Sequence, residues 1–204
     1  GVRLGLRISA WLIGPDFWSN VAARHLSELR IGYRQWDYRE TPAYLIYEVP
    51  FDTAPRPHLT GVRIGAAGIP PKTAPVVQLP REGIDLTGPV AFLGAAAYQS
   101  GGELEIETWW LRQPGDILSP VSVMAHLVAD DGHQIAVGDG LGLDVGGLQG
   151  GDIFAQTHAF GEVAELEGLW LQTGIYSLET TQLWVIGTQP GNAVFVDLKQ
   201  AMDP

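Results

Sequence analysis

Cysteine is absent from the 204 residues, which excludes a disulfide framework, a thiolate nucleophile and a cysteine-type zinc site. Charged residues are sparse at 17% while hydrophobic ones reach 46%, a balance too apolar for a disordered chain. The longest apolar run, Val90–Tyr98, falls far short of the roughly 20 residues a membrane-crossing helix needs. Basic residues nearly vanish from the second part. Residues 86–204 hold only Arg112 and Lys199 against fifteen acids, whereas residues 1–85 hold ten Arg and Lys against eight. The net charge of −11 sets up a field that repels phosphate backbones and anionic head groups, so no nucleic-acid partner is expected. The break near residue 85 argues for two structural units. The start at Gly1 rather than Met, with no secretory pattern, predicts a piece of a longer protein.

What is abundant is punctuation. With 26 glycines and 14 prolines, many short strands are favoured over a few long helices. Residues 1–60 predict a small α/β subdomain. A strand is expected at Arg3–Ile13 and a helix after Pro15-Asp16 with Asp16 as N-cap, where Trp18, Ala22, His25 and Leu29 share a stripe. Strands follow at Tyr33–Tyr38 and Ala43–Val49. Residues 61–83 read as a proline-rich linker with one strand at Gly61–Ala66. Residues 84–204 predict an antiparallel β-sandwich of jelly-roll or immunoglobulin-like type. Its strands are expected at Val90–Tyr98, Glu103–Leu111, Val121–Ala129, Gln134–Val137, Ile153–Phe160, Leu169–Leu178, Gln182–Ile186 and Ala193–Leu198. The chain is therefore expected to be mainly β, with a tight turn at Asp130-Asp131-Gly132.

Along Glu103–Trp110, Leu104, Ile106 and Trp110 lie on one side and Glu103, Glu105, Glu107 and Trp109 on the other. Crowded carboxylates repel, so the acidic face is expected to be wet, with Trp109 exposed on it. Sugars stack on aromatic rings while carboxylates bind their hydroxyls, which makes Trp109 with Glu105 and Glu107, and separately Trp170 and Tyr176, candidate glycan-binding residues. The alternative for each aromatic is a core or edge position. The glycine-rich stretch Gly138–Asp152 has neither the lysine nor the spacing of a phosphate cradle. Its Asp139, Asp144 and Asp152 could hold a structural Ca²⁺, the one cofactor the residues offer, or simply be solvated in a loop. His25, His58, His126, His133 and His158 show no zinc-type pairing. A hydrolase would need His126, Asp139 and a serine, or two carboxylates, in one cleft, and no nucleophile-elbow motif is present.

Several of these features recur together in one family. Leu93-Gly94, Trp109-Trp110, the run Val123-Met124-Ala125-His126-Leu127-Val128 before Asp131-Gly132, then Asp139-Gly140 and Gly151-Asp152, are followed by Gly168, Trp170 and Gly174-Ile175-Tyr176 with Ser177 and Thr180. Over roughly residues 90–190 this order resembles the extracytoplasmic C-terminal β-sandwich of bacterial polytopic glycosyltransferase-like membrane proteins, of the dolichyl-phosphate-mannose mannosyltransferase type. The chain departs from the pattern at Leu148-Gln149-Gly150, where the family has a tryptophan, and at Met124, where it favours an aromatic. In such proteins the lipid-linked donor and catalytic acids belong to the membrane-embedded part. The resemblance implies a non-catalytic accessory module outside the cytoplasm, tethered through a membrane parent, with glycan or the parent's transmembrane part as partner. A structural or protein-interaction domain without ligand is the rival expectation, and a carboxylate-dependent hydrolase a further one.

Overall fold

Alternating apolar and polar residues build nearly all the regular structure of this chain. A computed structural model describes residues 32–36, 42–47, 59–117, 120–140, 145, 148, 150–187 and 191–202, the first two stretches by backbone only. The strands are β1 (Gly32–Trp36), β2 (Pro42–Tyr47), β3 (Gly61–Gly65), β4 (Val76–Gln78), β5 (Ile84–Asp85), β6 (Val90–Ser100), β7 (Glu103–Arg112), β8 (Val121–Ala129), β9 (Gln134–Val137), β10 (Ile153–Glu162), β11 (Leu169–Ser177) and β12 (Ala193–Asp197). They form two six-stranded sheets in the orders β1-β2-β10-β7-β6-β5 and β4-β3-β12-β11-β8-β9. Neighbours pair antiparallel throughout, as the expected sandwich requires.

The core lies between the sheets. Phe92, Leu104, Ile106, Trp110 and Phe154 of the first meet Leu127, Leu171, Ile175, Val194 and Val196 of the second. Phe92 and Trp110 pack edge to face at 5.2 Å between ring centroids. Burying each such side chain stabilises the fold by about 1.5–3 kcal/mol. A smaller apolar cluster, Ala74, Met124, Val128, Trp170, Ala193 and Phe195, sits on the outer face of the second sheet. Β-hairpin geometry joins β6 to β7 through Gly101 and Gly102, at φ of 61° and 91°, the positive pair that a two-residue primed turn demands.

Strand pairing runs across both expected boundaries. The stretch read as a linker supplies β3, paired with β12, and β4, paired with β3. From the stretch read as a subdomain, β2 pairs with β10 and β1 with β2. Proline spacing shows where helices cannot form. It does not mark where a sheet ends, because the prolines flank β3 and β4 and leave their pairing residues free to donate. The strand expected at 3–13 and the helix expected after Asp16 lie outside the described residues.

The segment at 182–186 is not a continuous strand. It makes one bridge to each sheet, Tyr176 to Leu183 and Leu86 to Ile186, as it crosses between them. β12 stops at Asp197, whose carboxylate accepts from the Lys199 amide at 3.0 Å. That cap opens a four-residue helix, α1 (Leu198–Ala201).

Candidate functional site

The acidic face of β7 has the expected phase and a different environment. Glu103 is exposed and Glu105 half-buried, but Glu107 is 2% exposed and Trp109 0%. Trp109 is therefore no stacking platform. Its cross-strand neighbours on that face are Gly94 and Ala155, small enough to make room for an indole. Ile153, Ala155 and Ala96, on the same face, are buried as well. Alternation identifies the face and cannot say that the face is covered.

On the outer face of the second sheet, Asp139 draws three elements together. Its Oδ1 lies 3.1 Å from His126 Nε2 on β8 and accepts from the Ala125 amide at 2.9 Å. Its Oδ2 accepts from the Tyr176 hydroxyl on β11 at 3.0 Å. Burial would raise the Asp139 carboxyl, but the bonds from His126, the Ala125 amide and Tyr176 together hold it below its ordinary value. Burial, helped by the nearby carboxylate, pushes the Tyr176 phenol up.

These bonds fasten Asp139 to β8 and β11. Ser122 gives its hydroxyl proton to the Gly140 carbonyl, and it sits four residues along the strand from His126, about 13 Å away at the usual rise. Asp144 lies outside the described residues. Asp152 immediately precedes β10, its carbonyl accepting from the Arg112 amide. Among the described residues no group of three or more His, Cys, Asp or Glu is placed to hold a metal ion.

A buried polar chain escaped the sequence reading. Trp110 Nε1 donates to Thr108 Oγ1 at 2.9 Å, and Thr108 Oγ1 lies 2.9 Å from His158 Nε2. His158 Nδ1 lies 2.6 Å from the Gly138 carbonyl, which can only accept. His158 is thus the Nδ1–H tautomer, and its Nε2 accepts a hydrogen bond from the threonine hydroxyl. Burial drives its pKa down to about 4, although Asp139 and Glu107 pull the other way. The available signal was phase, since His158 alternates with Phe154 and Gln156 on the inward side of β10.

Trp170 lines a groove on the outer face of the second sheet. It pairs across strands with Asp197, and Arg63 pairs with Phe195, so β3, β12 and β11 bring all four to one outer face. There they line a groove of about 360 Å³ together with Gln78 and Gln200. Trp170 is itself fixed, with its Nε1 donating to Asp130 Oδ1 at 2.8 Å. Asp130 also binds Lys72, and these bonds from Lys72 and Trp170 lower its carboxyl pKa.

Arg63 lies over the indole, its Cζ 5.7 Å from the ring centroid. Its Nη1 donates to the carbonyls of Lys72 at 3.1 Å and Ala74 at 2.6 Å. Of the residues expected to bind a ligand, Trp170 meets other polar groups in this groove. Tyr176 is tied to Asp139, and Glu105, Glu107 and Trp109 belong to the other sheet. Arg63, Gln78, Asp197 and Gln200 were missed. Alternation shows Arg63 facing outward between Val62 and Ile64, but only the β3-β12-β11 order puts it beside Trp170.

Compared with protein-family models, curated proteins and solved structures, the chain matches none.

Proposed function

We propose that this chain is a non-catalytic, extracytoplasmic accessory module of a membrane glycosyltransferase-like protein, and that it binds carbohydrate in the Trp170 groove. The observation that carries the binding is the composition of that groove. One concave surface of about 360 Å³ unites an indole edge, a guanidinium, a carboxylate and two side-chain amides. Sugars present hydroxyls that need both donors and acceptors, beside C–H patches that favour apolar walls, which Phe195 and Trp170 supply. The volume falls within the range of small-ligand sites. The β-sandwich fold and the ordered motifs from Leu93-Gly94 to Gly174-Ile175-Tyr176 support the placement in a membrane parent, whose transmembrane part is the second partner.

A glycan array tests the binding. The wild-type chain should retain at least one oligosaccharide class, and the exposed-site double variant Gln78→Ala/Gln200→Ala should weaken it by about tenfold, the loss of two net hydrogen bonds, with an unchanged melting temperature. A blank array removes the carbohydrate part. The interaction-domain reading has its own observation, the exposed Ile135 and Val137 on β9, the last strand of its sheet among the described residues. Pull-down by the parent's membrane segment that is abolished by Ile135→Lys would favour it.

A further inference from the structure

We propose that the groove selects a sugar bearing a carboxylate, a uronic-acid unit, and that Arg63 is the recognising cation. The inference rests on the carbohydrate reading above and adds the substrate class. Arg63 lines the groove, and its Nη1 is spent on the Lys72 and Ala74 carbonyls. Among the described residues no carboxylate lies within ion-pairing distance of it. What remains is Nε–H and both Nη2–H groups, and Nε–H with the Nη2–H beside it is the parallel pair that fits the two oxygens of a carboxylate side-on. Two carbonyls and the Trp170 face already hold the guanidinium, so ordering it on binding costs little.

Charge narrows the ligand further. Lys72, whose carbonyl accepts from Arg63, is neutralised by Asp130, and Asp197 stands on the same groove. Arg63 and Asp197 then balance in charge, so within a protein of net charge −11 a doubly charged phosphate or a sulfated polyanion is disfavoured more strongly than a single carboxylate, which the guanidinium fork can pair. The Asp197 carboxylate and the Gln78 and Gln200 amides then fall to the hydroxyls of the same sugar or its neighbour.

Calorimetric titration of the full chain with a short oligogalacturonate, and with the same oligosaccharide after its carboxylates are reduced to alcohols, separates the two claims. The acidic form should bind at least about tenfold tighter, a charge-assisted bidentate pair being worth that much. Arg63→Gln should abolish the preference. Arg63→Lys, which keeps the charge and loses the fork, should retain part of it. Equal binding of the two forms, or a preference untouched by Arg63→Gln, overturns the uronate inference and leaves carbohydrate binding standing. If neither form binds, the uronate inference falls, and a blank glycan array then retires the carbohydrate reading with it. Should Arg63→Gln fail to fold, the wild-type comparison of the two oligosaccharides still decides.

Discussion

His158 illustrates what a single buried residue can impose. Its ring is neutral in the fold, with a pKa lowered to about 4 from the ordinary 6.5, so the unfolded chain takes up a proton that the native one refuses. Stability from this residue is complete above about pH 6.5, declines as pH falls, and levels off below about pH 4, a loss on the order of 3 kcal/mol. Asp139 acts lower: its depressed carboxyl stabilises the fold above the unfolded carboxylate range and loses that contribution as pH falls below about 4. Chemical denaturation across pH 7 to 4 checks the histidine, and His158→Gln should flatten the slope between pH 6.5 and 4. Phase along β10 was enough to point His158 inward. That its partners would be Thr108 and a carbonyl of the glycine-rich stretch depended on which strands become neighbours, which no local pattern contains. Trp109 failed for a related reason, because its burial depends on what lies over the sheet.

Among the elements, the Asp130-Asp131-Gly132 turn is the one most completely written in local residues. Asp131 Oδ1 accepts from the His133 amide at 2.9 Å, and Gly132 adopts a φ of 86°, as such a turn requires. What the residues could not show is that the turn is also a packing surface. A Cβ on Gly132 would come within 2.9 Å of the Ile69 carbonyl carbon and 3.0 Å of the Pro70 nitrogen. Gly101, at φ 61°, faces open space. Asparagine tolerates the left-handed region, so Gly101→Asn should cost below about 1 kcal/mol, whereas Gly132→Asn should cost about 2 kcal/mol or more through the clash. Urea melts of the two variants read the difference. Gly132→Asn should also disturb the groove, because the adjoining Asp130 holds Trp170.

At the scale of the whole molecule, the strand positions after residue 84 were legible and the extent of the sheets was not. Seven of the eight segments expected there coincide with β6 to β12 within about two residues at each end, because their alternation is local. The first 83 residues looked like a separate body because their charge and proline content change. Pairing shows β2 beside β10 and β3 beside β12. A fragment of residues 84–204 would leave β10 and β12 as bare edges and remove β3's share of the core. Circular dichroism and size exclusion should find that fragment aggregated or unfolded under conditions where the full chain is folded and monodisperse.

The groove exists only because β12 lies between β3 and β11, so the ligand claim is a claim about that order. The measurement that tests it most directly is a ¹H–¹⁵N correlation spectrum of the full chain titrated with the oligogalacturonate. Shifts should concentrate at the Trp170 indole N–H, the Arg63 Nε–H and the Gln78 and Gln200 side-chain amides. Shifts gathered instead around Glu105 or around His126 and Asp139, with those four signals unmoved, would contradict it.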